Sequence, residues 1–122
     1  MKLQLYKVYY VKNKDLGFDD SVPGHEVILV KRSKNKSRVK VKTITSIEGN
    51  HKPGQKRKLK NSHKDIIELI YEGEIIVIPK KDLNTPKLSG VFKKGIWIES
   101  NKLMESKYDT RISKRYIKII GK

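Results

Sequence analysis

The chain has 122 residues, with 29 Lys or Arg against 13 Asp or Glu, a formal net charge of +16 and no cysteine. That length fits one compact domain with a core of its own, and the missing cysteines exclude disulfides, thiolate zinc sites and thiol nucleophiles. At 36% hydrophobic residues and with no apolar run longer than four, the chain reads as neither a disordered tail nor a membrane span or secretory leader.

Residues 2–11, with Tyr6, Val8, Tyr9 and Tyr10, predict a strand. Residues 13–24 carry Asp19, Asp20, Ser21, Pro23 and Gly24, which is loop chemistry. The run Val27-Ile28-Leu29-Val30 suits a central strand over 26–31. After a polar turn at 33–36, residues 37–47 alternate most clearly. Val39, Val41, Thr43, Thr45 and Ile47 fall on one face, and Arg38, Lys40 and Lys42 on the other. Residues 48–60 read as a long, mobile, basic loop. Ser62 with Asp65, then Ile66, Ile67, Leu69 and Ile70 and a stop at Gly73, predict one short helix. A second buried strand covers 74–78, a loop 83–90, and a strand interrupted at Gly95 covers 91–99. Residues 112–120 fit two patterns, because β-branched residues favour a strand while Ile112, Tyr116, Ile119 and Ile120 match a helical face. Together these predict a single all-β dominated domain over residues 1–122, a small antiparallel barrel or strongly bent sheet with one short helix.

The charge is concentrated. Residues 31–60 hold twelve basic residues and one acid, Glu48, whereas residues 65–78 sum to −4. A patch of one sign at this density points to a polyanionic partner, an RNA or DNA backbone. Arg38, Lys40 and Lys42 project about 6–7 Å apart along one side of their strand. Lys31, Arg32, Lys34 and Lys36 precede them, and Lys56, Arg57 and Lys58 sit on the basic loop. Lysine outnumbers arginine here, which favours phosphate contacts over base readout. Tyr10 and Tyr108 are the candidates for stacking on unpaired bases, while Phe92 and Trp97, the latter between Ile96 and Ile98, read as core.

His25, His51 and His63 do not share a metal-ligand spacing, and no phosphate-binding glycine loop or dinucleotide fingerprint is present. The segment Glu105-Ser106-Lys107, with Asp82 upstream, has a spacing seen in some metal-dependent nucleases but lies outside a strand–turn context. No metal site and no cofactor are therefore expected. Metal-free RNA cleavage needs a group to deprotonate the ribose 2′-hydroxyl, a group to protonate the leaving oxygen, and cations beside the phosphorane. His25, Arg32, Thr43, Thr45 and Ser46 supply that inventory.

The order of these elements resembles the MazF/PemK family of toxin ribonucleases. The first strand contains Lys7-Val8-Tyr9-Tyr10, the loop of residues 13–24 follows, and the apolar second strand is Val27-Ile28-Leu29-Val30. The third, Val39-Lys40-Val41-Lys42-Thr43-Ile44-Thr45-Ser46, is similar to the family strand that closes in Ile-Thr-Ser. The resemblance covers roughly residues 4–80. It implies metal-independent cleavage of single-stranded RNA, a homodimer, an acidic antitoxin partner and a cytoplasmic setting, with Thr45 and Ser46 at the family's catalytic Thr/Ser position. His25-Glu26 stands where the family has an Arg-Pro pair, so His25 takes the place of the family's catalytic arginine. A non-catalytic RNA- or DNA-binding module explains that departure equally well. An inhibitor or adaptor docked on a ribonucleoprotein machine is a third reading, and no membrane role is expected.

Overall fold

The computed structural model describes residues 2–18, 23–46, 74–83 and 89–121. The expected helix over 62–73 and the basic loop at 48–60, with Lys56, Arg57 and Lys58, lie outside the described residues.

Among the described residues the fold is one sheet of seven antiparallel strands with three short α-helices. Strand β1 is Val8–Lys12 and runs directly into helix α1, Asn13–Leu16. Gly17 closes that helix at φ 77°, a left-handed conformation that glycine adopts without Cβ strain. Strands β2, Gly24–Arg32, and β3, Arg38–Ser46, form the long central hairpin. Next come β4, Ile75–Ile78, and helix α2, Lys80–Leu83. Strands β5, Ser89–Phe92, and β6, Ile96–Glu99, lead to a 3-10 turn at Ser100–Lys102, then β7, Met104–Glu105, and helix α3, Lys114–Ile120. The strand order is β4-β5-β3-β2-β1-β7, with β6 also paired to β3. The ends of that path, β4 and β7, do not pair with each other. No described helix is long and apolar enough to cross a membrane.

The interruption expected at Gly95 is where β5 and β6 separate. Both run antiparallel to β3 along one edge, β5 beside Ile44–Ser46 and β6 beside Arg38–Val41. The alternation of the strands builds two cores, one on each face of the sheet. Val8, Ile28, Val30, Ile44, Ile78 and Val91 pack on the first face beneath Ile112 and Ile120. Tyr9, Val11, Val27, Leu29, Val39, Val41 and Ile98 pack on the second with Leu16 and Leu103. The continuous run Val27-Ile28-Leu29-Val30 is apolar because its alternate residues serve opposite cores.

The ambiguous C-terminal segment is a helix. Ile112, Tyr116, Ile117 and Ile120 all reach the first core, a spacing that a helical period can satisfy and a two-residue period cannot. Arg115 fixes this helix to α2 through a two-pronged bond to Asp82, Nε to Oδ1 at 2.9 Å and Nη2 to Oδ2 at 2.7 Å. The Ser113 N–H donates to the Asp82 carbonyl at 2.8 Å.

Candidate functional site

The second face is apolar from Val39 to Val41 and then changes character. Thr43 and Thr45 continue the same row, so the core gives way to hydroxyls where the row leaves the covered part of the sheet. Val27 pairs with Thr43, which brings His25 on β2 level with Thr45 on β3. On the other edge, Phe92, Lys94 and Ile96 approach across the β5–β6 interruption, and Phe18 arrives from the turn after α1. These seven residues line a half-open cavity of about 500 Å³.

His25 is held on two sides. Its Nδ1 lies 2.6 Å from the Asn13 Oδ1, and Asn13 is itself buried. An amide oxygen accepts, so the proton of a neutral imidazole sits on Nδ1 and Nε2 is the basic nitrogen. Phe18 meets the imidazole edge-on, ring centres 5.3 Å apart. Thr43 is buried, Thr45 half-buried, and Lys94 exposed at the rim. The cavity therefore joins one imidazole, two hydroxyls and one cation against two phenyl rings.

Of the five residues expected to supply the catalytic groups, His25, Thr43 and Thr45 meet in this cavity. Arg32 does not. It pairs with Val39 at the far end of β2, seven residues or about 23 Å of strand from His25. The backbone of Ser46 pairs with Ser89. Sequence reasoning missed Lys94, Phe18 and Phe92. The alternation of Phe92, Lys94 and Ile96 was a readable signal for a shared face, masked by assigning Phe92 to the core.

The expected basic face also needs correction. Arg38, Lys40 and Lys42 do share the first face, but that face is a core face along much of its length. Lys42 pairs with Ile28 and is only 2% exposed, so it is not part of a solvated ridge. Burial pushes its pKa below the usual lysine range, and the neighbouring Lys40 and Lys93 charges push it further down. Lys31, Lys34, Lys36 and Arg38 are exposed around the β2–β3 turn. That turn is braced by polar bonds. Ser33 and Ser37 hydroxyls donate to the Asn35 Oδ1 at 2.9 and 2.7 Å, and the Ser100 hydroxyl donates to the Lys36 carbonyl at 2.6 Å.

The stacking candidates lie elsewhere. Tyr10 is on the first face, opposite the cavity, with its ring end against Gly24. Tyr108 is half-buried in the segment after β7, its N–H donating to the Ser106 hydroxyl at 3.1 Å. Ser106 in turn donates to Glu26 at 2.5 Å, and Asp82 is engaged by Arg115, so the Glu105-Ser106-Lys107 segment and Asp82 do not form one site. Among the described residues no three His, Cys, Asp or Glu side chains cluster as metal ligands. Trp97 is the residue the sequence reading misplaced, being 40% exposed on the first face rather than core.

A scan against protein-family models finds no match, and a search of curated proteins finds none.

Proposed function

We propose that the protein is a nucleic-acid-binding endoribonuclease of the toxin type, cleaving single-stranded RNA without a metal in a cytoplasmic setting. The supporting observation is the cavity that joins His25, Thr43, Thr45 and Lys94 on a strongly basic, sheet-dominated chain. The small antiparallel barrel expected from the element order belongs to this reading, as do an acidic antitoxin and a second copy as partners.

The chemistry follows from the side chains. The His25 Nε2 takes the proton of a ribose 2′-hydroxyl while Asn13 orients the ring through Nδ1. The 2′-oxygen attacks phosphorus, and the bond from phosphorus to the 5′-oxygen breaks. The products are a 2′,3′-cyclic phosphate and a 5′-hydroxyl, with a proton delivered to the leaving oxygen from water or a Thr45 hydroxyl that is then reprotonated. Lys94 and the hydroxyls of Thr43 and Thr45 stabilise the doubly charged phosphorane. Phe18 and Phe92 offer apolar walls to the flanking bases. Incubating labelled single-stranded RNA with the protein in chelator is the test. Cyclic-phosphate ends that vanish in His25→Ala support the reading. Intact RNA at high protein concentration overturns it, and retention without cleavage leaves the binding module in its place.

A further inference from the structure

The first face of the sheet opens at the end opposite the cavity. Register places Lys31, Lys40 and Trp97 side by side across β2, β3 and β6, since Lys31 pairs with Lys40 and Lys40 with Trp97. The β2 irregularity between Leu29 and Lys31 makes this possible. Ile28 pairs with Lys42 and Lys31 with Lys40, so three residues of β2 span two of β3 and both Ile28 and Lys31 stay on the first face. Arg38 is next along the same row, its Nη2 donating to the Trp97 carbonyl at 3.3 Å.

Two features mark this as more than a solvated basic surface. Trp97 is the chain's single tryptophan and one of the most costly side chains to leave in water, yet it stands 40% exposed on an open strand row. Beside it, Lys40 is only partly exposed. Its stem lies on the backbone of Gly95, where any Cβ would collide with Lys40 Cγ at 2.8 Å and Cδ at 3.0 Å. Glycine at 95 thus leaves room for the Lys40 stem on the strand row that carries Trp97. Glu99, opposite Arg38, is the acid of this row.

Building on the nucleic-acid reading above, we propose that Trp97, flanked by Lys31, Lys40 and Arg38, is a base-stacking platform that holds a single-stranded polynucleotide on the face opposite the cleavage cavity. Any base presents a π-face to the indole, and the cations lie at strand spacings that match successive phosphates. A second copy of the chain is the poorer occupant, because it would bring the same cations against one another. The platform anchors a strand without reading its sequence and lengthens the footprint beyond the few nucleotides that the cavity can take.

The single tryptophan makes the test direct. The full-length protein is titrated with a 2′-O-methyl oligouridylate, which cannot be cleaved, while tryptophan emission and the anisotropy of a labelled copy are followed together. Heparin serves as a polyanion without bases. Saturable quenching by the oligonucleotide, but not by heparin, is expected. Trp97→Ala should weaken binding at least about fivefold and Trp97→Phe should restore much of it, as stacking predicts. Lys40→Gln should reduce the magnitude of the log–log salt slope by about 0.7. Binding seen by anisotropy with silent tryptophan emission, or equal quenching by heparin, overturns the platform. RNA cleavage with silent emission removes the platform and leaves the ribonuclease standing. Quenching without cleavage of ordinary RNA does the reverse.

Discussion

The two halves of β3 meet solvent in opposite ways. At its C-terminal end the second face opens through Thr43 and Thr45 into a walled cavity with an oriented histidine. At its N-terminal end the first face opens through Lys40 and Arg38 onto a flat row with an exposed tryptophan. Among the described residues the sheet is thus covered on both faces at its middle and less covered on one face at each end. A walled site with a basic nitrogen can act on one bond, because it fixes a reacting group and restricts water. A flat cationic row with an aromatic ring can only hold. On the proposed reading, one long strand would carry a place for chemistry and a place for grip, about 20 Å apart along β2 if measured from His25 to Lys31.

The sharpest way to break this division is His25→Ala. Loss of a general acid–base is worth about 10²- to 10⁴-fold in rate. Cleavage of labelled RNA should fall by at least about 100-fold, while binding of an uncleavable oligonucleotide stays near the wild-type value. Equal losses in both measurements would mean that the two ends are not separable.

Ile28→Ala and Leu29→Ala test the double cover of the sheet. Both side chains are fully buried, one in each core. Each substitution should cost about 2–5 kcal/mol, read from the urea midpoint. A strand covered on one face only would give one large and one small value.

Much of this architecture was readable because the hydrophobic period reports burial directly. The apolar run at 27–30, the alternation from Arg38 to Thr45 and the break at Gly95 all map onto observed strands and their interruption. The pairing of His25 with Thr45 in one cavity followed from proximity along a hairpin, although Arg32 shows the limit. Strand length carries a residue seven places away to the other end of the sheet. Lys42 and Trp97 were misread for a shared reason. Alternation tells which residues share a face but not how far the cover on that face extends. Lys42 lies under the cover and Trp97 beyond it, and both depend on chain segments remote in sequence.

Lys42→Met sharpens the difference between held and exposed cations. Among the described residues no carboxylate pushes its pKa up, and burial with the Lys40 and Lys93 charges depresses it. Between the depressed pKa and the ordinary lysine value, the unfolded chain binds more protons than the folded one, so stability rises with pH across that window. Replacing the lysine with an apolar side chain of similar length should stabilise the protein at neutral pH by about 1 kcal/mol. It should also flatten the rise seen in urea titrations toward alkaline pH. Unchanged stability and an unchanged pH profile would show that the ammonium group is fully hydrated.

The smallest effect is expected at the clasp between α2 and α3. Arg115 holds the Asp82 carboxyl below the usual carboxylate range chiefly through its two-pronged bond. A depressed carboxyl contributes stability above its unfolded pKa and loses it as pH falls through the folded value, so this contribution is complete at neutral pH and disappears in acid. Arg115 is largely exposed, which limits the strength of the pair. Asp82→Asn should therefore lower the melting temperature slightly at pH 7 and leave acid stability closer to wild type, with α3 exchanging its amides faster than the central hairpin. The clasp touches neither the cavity nor the tryptophan row. Cleavage and quenching should both persist in that variant, and a loss of either would tie the C-terminal helix to one end of β3.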